Sequence, residues 1–459
     1  MYIANIRLLY QADFLPLNEK YVTDCLYSLC RGKRFTAEAP IHLYEKMNTE
    51  EIIKSLEEEL GIILIRTQLE NVLDDDFCFA NEVHICRGVI ISLGICKLDI
   101  SALPKSLGQA IDLKYLTIDN CVNLIHFESL ANLKDLDGLR LCNLSIVSLP
   151  SEISNLPNLK KIYLKSNSFL ESFNSLAYLY NLEELYLADL EIKKLPQEIR
   201  CNKKLKKIAL NFSENLFDYN VLKFIKNTLE YFEITFEKYS RVPKIVRSFK
   251  NLKVFFMKTT YGFKDISNLK KLRHLKEITL AGLKTDALPK SINTLKNLEV
   301  LRIYEADPIN ADKLKGLKNL KHLIGTKPPK YAYTFHKLET LEAASYDLTD
   351  VSMIKNLKRL SELSLRVHQA AELSEELFTC SNLISLAIEA NLEYIPESVS
   401  KLEKLEELTL RNCMNLKDIQ AINKLKNLQL LRIFELTNRD IERQIMPREN
   451  LHLDIRYID

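Results

Sequence analysis

Leucine and isoleucine return along this chain in one short frame, L-x-x-L-x-L. It stands as LKYLTI from Leu113, LKKIYL from Leu159, LEELYL from Leu182, LKKIAL from Leu205, LKEITL from Leu275, LEVLRI from Leu298, LEELTL from Leu405 and LQLLRI from Leu428. The fourth residue of each frame is a convenient marker. The markers are Ile91, Leu116, Leu139, Ile162, Leu185, Ile208, Phe232, Phe255, Ile278, Leu301, Leu323, Leu341, Leu363, Leu386, Leu408 and Leu431. Most steps are 22 to 24 residues, as from Ile162 to Leu185 (185 − 162 = 23), and the step from Leu323 to Leu341 is 18. The alternation in L-x-L predicts a strand whose leucines point inward and whose middle residue points out. One such strand cannot bury its apolar face alone. Stacked copies make a parallel sheet backed by a continuous apolar core.

A coarser pattern lies over the first. LPKSL from Leu103, LPSEI from Leu149, LPQEI from Leu195, VPKIV from Val242 and LPKSI from Leu288 begin 46, 46, 47 and 46 residues apart. Every second repeat thus carries a Leu-Pro turn, and those between read as helical backs, as in FKDISNLKKLRHL from Phe263. Two alternating outer geometries are expected, because proline fixes φ and has no N–H to give a ladder. Two interruptions are expected as well. One is a helix in Ser213 to Thr228, and the other a disturbance near Lys327, Pro328 and Pro329.

The period and the frame resemble the leucine-rich-repeat family over residues 86 to 436, about sixteen repeats. The resemblance implies an α/β fold: a curved leucine-rich-repeat solenoid with a parallel sheet on its concave face and a mixed helical and extended convex side. Family members often place an asparagine three residues after the second leucine of L-x-L. Here that place reads Asn167 and Asn391, but also Cys96, Cys121, Cys413, Leu144, Leu190, Leu283 and Leu436.

Residues 1 to 85 fall outside the repeat and read as a small α/β cap. Asn18 to Arg31 and Asn48 to Leu60 have helical apolar spacing, the second with Asn48 and Glu51 at capping-box distance and Gly61 as its stop. Ile62 to Arg66 reads as a strand, and residues 437 to 459 as a second cap that seals the far end.

Composition narrows the function. With 47% hydrophobic residues the chain is too apolar for disorder. Lysine plus arginine number 64 against 61 acids, which gives no general attraction to nucleic acid or to an anionic membrane. The apolar runs are too short to span a bilayer. The N-terminus lacks a secretory pattern and none of the ten cysteines forms a C-x-x-C pair, so reduced thiols in the cytoplasm are expected. Phosphate-loop, G-x-S-x-G and H-E-x-x-H motifs are absent, and no Cys/His set has zinc-finger spacing. No cofactor, metal or catalytic residue is therefore assigned.

On such a sheet the outward residues are not required by the core and are available for contact. They are rich in aromatics and arginine: Tyr115, Tyr163, Tyr186, Phe212, Tyr231, Phe236, Phe256, Arg302, Tyr304, Arg366, Arg411 and Arg432. Tyrosine and arginine are enriched at binding hot spots, although cross-strand ladders would use the same residues. The expected function is a non-enzymatic scaffold that binds a protein or peptide on the concave face. The alternative is an effector or ligase-type enzyme with a thiol site near the N-terminus, drawn from Cys25, Cys30, His42, Cys78, His84 and Cys86.

Overall fold

A computed structural model describes residues 48–69, 77–212, 218–236, 241–263, 266–283, 288, 290–304, 309–327, 332–345, 354–367, 373 and 375–458. The expected helix Asn18 to Arg31, with Cys25, Cys30 and His42, lies outside them. The first described element is helix α1, Thr49–Leu60. The Asn48 side chain accepts from the Glu50 N–H, Glu51 closes a capping box, and Gly61 ends the helix at φ 68°. Its apolar side, Ile52, Ile53, Leu56 and Leu60, joins the core.

The strands follow as β1 Ile65–Leu69, β2 Glu82–Cys86, β3 Val89–Cys96, β4 Tyr115–Asp119, β5 Gly138–Cys142, β6 Lys161–Lys165 and β7 Glu184–Ala188. Next come β8 Lys207–Phe212, β9 Tyr231–Phe236, β10 Val254–Phe263, β11 Glu277–Leu283, β12 Val300–Tyr304, β13 Ile309–Asn310 and β14 His322–Lys327. The array ends with β15 Thr340–Ser345, β16 Glu362–Val367, β17 Ser385–Glu389, β18 Glu407–Arg411, β19 Leu430–Leu436 and β20 His452–Tyr457. Among the described residues these form one open sheet. Every pairing is parallel except that of β2 with β3. The short β13 pairs at the end of β14.

The markers stack one above the next, from Leu116 on Leu139 through to Leu408 on Leu431, and all are buried. The first marker is corrected: Leu93, not Ile91, pairs with Leu116. A period of two puts residues 91, 93 and 95 on the same face, so a slip of two residues keeps the apolar pattern and the sequence cannot detect it. Cys96 is then not at the asparagine place, which falls to Leu98.

The convex side differs from the expected alternation. Both kinds of repeat carry a five-residue 3-10 turn, such as Lys105–Gln109 and Glu128–Asn132. What alternates is the entry. Pro104, Pro150 and Pro196 lead in with ψ near 140°, 136° and 131°, whereas Phe127, Phe173 and Tyr219 lead in with ψ of 15°, 20° and 10°. Short parallel bridges tie each pair together: Ala102 to His126, Ser148 to Ser172, Lys194 to Asp218 and Tyr394 to Asp418. The rise of about 2 Å per residue lets a single 3-10 turn cover the back of one repeat.

The stretch after Ser213 does not break the array. Asn220–Phe224 is the ordinary 3-10 turn of its repeat, and β8 pairs with β9 in register. Stacking also continues through Leu323 and Leu341, then slips between Ile324 and Thr326. Gly325 stands at the slip with φ 79°, where a Cβ would meet the Ile303 carbonyl oxygen at 1.8 Å. Pro328 and Pro329 lie outside the described residues.

Asn167, at the family's asparagine place, bridges backbone groups of the turn. Its Oδ1 accepts from the Leu144 N–H at 2.9 Å and its Nδ2 donates to the Leu141 carbonyl at 2.9 Å. Cys121 takes the same place one repeat pair earlier, its Sγ 3.7 Å from the Ile95 carbonyl. Asn391 departs from it: it is exposed, and Ala390 and Leu392 fill the interior instead.

Candidate functional site

The inner face of the sheet carries three columns of outward side chains, before, within and after each L-x-L. Its N-terminal part is covered by the chain itself. Residues 77–81 run as a strap across β3, β4 and β5. Cys78 Sγ lies 3.3 Å from Ser92 Oγ, and Asn81 bonds the Cys96 backbone at both N–H (2.7 Å) and carbonyl (2.9 Å). A Cβ on Gly94 would lie 2.0 Å from the Ala80 oxygen, and one on Gly138 would lie 2.5 Å from the Phe77 ring. The two glycines make the room the strap needs.

The strap ends in an aromatic cage. Phe77 packs on Tyr115 (5.0 Å between ring centroids) and edge-on against Tyr163 (5.2 Å). The Arg140 guanidinium carbon lies 5.6, 4.8 and 5.1 Å from the rings of Phe77, Phe79 and Tyr163. Tyr163 stacks on Tyr186 at 3.9 Å and 10°. Tyr115, expected as a contact residue, is therefore only 3% exposed. Tyr163 and Tyr186 stay half-buried, but they form the cross-strand ladder that competed with binding as an explanation.

Lys207 continues the ladder, its Nζ 4.9 Å from the Tyr186 ring and 4.8 Å from the Tyr231 ring. The Tyr186 hydroxyl donates to Glu184 (2.8 Å) and the Tyr231 hydroxyl to Glu233 (2.6 Å). Burial pushes the Glu233 carboxyl above its ordinary range. Next to Lys207, Lys206 pairs with Glu183 at 2.8 Å, and that hydrogen bond raises its pKa.

Farther along, Phe256, Arg302, Tyr304, Arg366, Arg411 and Arg432 are all half-buried on the inner face. Phe212 and Phe236 end β8 and β9, and their side chains are not among those described. Arg302 pairs with Glu277. From β16 to β20 the outer column reads Arg366, Glu389, Arg411, Phe434 and Arg456 in strict register or sequence phase. Arg366 forms an ion pair with Glu389 at 2.9 Å. Arg411 and Arg456 flank the Phe434 ring at 5.4 and 5.0 Å. Burial lowers the Arg411 pKa against the pull of Glu389. Beside this column on β16 to β18 stand the small side chains Ser364, Ala387 and Thr409, a row that continues into Arg432 on β19, and beyond them Glu362, Ser385 and Glu407. The result is a shallow trough with an arginine-rich wall and an acidic one.

The reading of the sequence placed Phe434 on this face but missed the strap, Arg456, and a set of exposed apolar side chains beside the sheet. These are Val122, Ile125, Val147 and Phe169, which follow β4, β5 and β6. For the strap, Phe77 and Phe79 beside two sheet glycines were a visible signal. Of the proposed thiol set, Cys78 and His84 come together with Glu82, but Cys78 is fully buried and burial raises its pKa. Among the described residues no helix is long and apolar enough to cross a membrane.

The comparisons with known proteins agree with this architecture. A family model described as a leucine-rich repeat region matches residues 228–369. A disease resistance protein of Arabidopsis thaliana is 26% identical over 192 residues, 41% of this chain and 15% of that protein. The disease resistance-like protein DSC1 of the same plant is 25% identical over 193 residues, again 15% of its length. The match thus spans a small part of these relatives. Among solved structures, a leucine-rich-repeat protein of Leptospira interrogans superposes with a TM-score of 0.51 at 22% identity, over 85% of this chain and all of that one.

Proposed function

We propose, from the premise that the chain is a leucine-rich-repeat protein, that it is a non-enzymatic scaffold which binds a polypeptide along the inner face from β10 to β19. One observation carries this. On that stretch the half-buried residues Phe256, Arg302, Tyr304, Arg366, Arg411 and Arg432 serve no core; Arg366 and Arg411 border the small side chains Ser364, Ala387 and Thr409, and Arg432 ends that row. Exposed aromatic and arginine side chains on a rigid surface are the usual anchors of protein contacts. The facing arginine and glutamate walls favour a partner segment of mixed charge, held in one register.

A thiol enzyme centred on Cys78 finds little support, because that fully buried residue offers its sulfur to no substrate, while Cys25, Cys30 and His42 lie outside the described residues. The proposal includes action in a reducing compartment such as the cytoplasm.

A photo-crosslinking residue placed at Phe256, and separately at the convex Tyr180, tests the proposal in the native cell. Crosslinks to polypeptide from position 256 and none from position 180 are expected. Capture from position 180 alone, or of nucleic acid in place of polypeptide, would overturn it.

A further inference from the structure

Behind the strap lies a group of side chains that the binding reading does not use. Cys78 Sγ, a Glu82 carboxylate oxygen and a His84 ring nitrogen all lie within 4.8 Å of one another. The separation of Glu82 Oε2 from His84 Nε2 is 3.9 Å. Cys78 is fully buried and His84 only 5% exposed. The Ser92 hydroxyl, also fully buried, sits 3.3 Å from the sulfur. The Phe79 N–H of the strap donates to Glu82 Oε1 at 3.1 Å and so aims the carboxylate.

We propose that Cys78, Glu82 and His84 form a binding site for a zinc-type divalent ion that staples the strap to β2. The three donor types are those zinc takes: thiolate, imidazole and carboxylate. A tetrahedral zinc ion with bonds of about 2.0–2.3 Å spaces its donor atoms roughly 3.3–3.8 Å apart, so small side-chain adjustments bring all three within reach. Ser92 Oγ or a water completes four ligands. On binding, the Cys78 thiol loses its proton to solvent, and the ion forms bonds to sulfur, nitrogen and oxygen with no change of oxidation state. The hydrogen bond from Phe79 is the kind of outer support that metal-bound carboxylates use. The spacing C-x3-E-x-H matches no zinc-finger pattern, and for that reason the sequence alone is silent.

The consequence is local. Residue 78 lies between Phe77 and Phe79, the two rings that enclose Arg140. An ion at Cys78 therefore holds both rings on the inner face. The proposal is independent of which partner binds beyond β10.

The test is titration of the chelator-stripped full chain with cobalt(II), then zinc(II). One equivalent of cobalt should give a thiolate charge-transfer band, and zinc should displace it. Cys78→Ser should abolish the band, His84→Gln should weaken binding on the order of 10–100-fold or more, and Cys413→Ser should change nothing. Absence of a stoichiometric thiolate band in the wild-type chain, or its survival in Cys78→Ser, overturns the proposal. If circular dichroism shows Cys78→Ser unfolded, Glu82→Gln decides: a fall in affinity supports the site and an unchanged affinity refutes it.

Discussion

At the scale of single residues, stability in this solenoid rests on whether a polar group is sealed from water. Asn167 is fully buried and holds the Leu144 N–H and the Leu141 carbonyl. Asn167→Ala leaves both without their side-chain partner, at about 1–3 kcal/mol for each buried group. Asn181 makes an equally short bond, 2.7 Å to the Pro157 carbonyl, but at an exposed site where water can replace it. Asn181→Ala should cost within about 0.5 kcal/mol. Denaturant midpoints of the two variants test this, and equal losses would contradict it. His322 gives a pH-dependent case. Burial lowers its pKa from 6.5, with Arg302 adding to the effect, and its Nδ1 is 2.9 Å from Thr340 Oγ1. The folded chain then binds this proton less readily than the unfolded chain. The stability His322 supports is complete above the unfolded pKa and is lost as pH falls toward the folded one. His322→Gln should flatten the decline in stability between about pH 7 and pH 5; a variant that declines as steeply as the wild type would show that His322 is not its source.

At the scale of elements, the strands of the repeats were legible in the sequence and the pieces laid against them were not; the strand expected over Ile62 to Arg66 begins only at Ile65 and runs to Leu69. A leucine every two dozen residues has one physical use, so the stacking of Leu116, Leu139 and Ile162 follows from spacing. The phase of β3 did not, since Ile91 and Leu93 are equivalent to any rule of period two. Helix α1 was legible to the residue, because Asn48, Glu51 and Gly61 act locally. A second asparagine ladder escaped notice. Asn158, Asn181, Asn251, Asn297, Asn319, Asn382 and Asn427 each precede the first leucine of a frame, and each donates to a carbonyl one repeat earlier. Its signal in the sequence is the recurrent Asn-Leu pair at the start of a frame. The candidate site was legible only as a set of outward positions, because the strap that covers some of them is a long-range contact. Gly94→Ala tests the strap as an element. Its Cβ would lie 2.0 Å from the Ala80 oxygen, so backbone must move. Amide exchange should quicken at residues 77–82 and stay slow in β5 to β7. An unchanged strap would show that the clash is relieved in some other way.

At the scale of the whole molecule, a formal net charge of +3 describes the chain but not its inner face. Arg366, Arg411 and Arg456 share one column there, and Glu362 and Glu407 share another. A balance summed over 459 residues is silent about local fields that decay within about 8–10 Å. The same locality governs stability. Each repeat packs only on its neighbours, so the free energy of the array is close to a sum of repeat and interface contributions. This permits one chain to carry two unlike inner faces, closed by its own strap at β3 to β5 and open at β16 to β19. It also fixes how far a lesion spreads. Leu301 is fully buried midway along the core, and Leu301→Ala should cost about 2–5 kcal/mol where it stands. Exchange should accelerate in β11, β12 and β14, which it touches through direct pairing. Amides of β4 to β6, several repeats away, should keep their wild-type rates. Equal acceleration at both places would mean that the solenoid opens as one cooperative body, and the strap and the trough would then have to be treated as coupled.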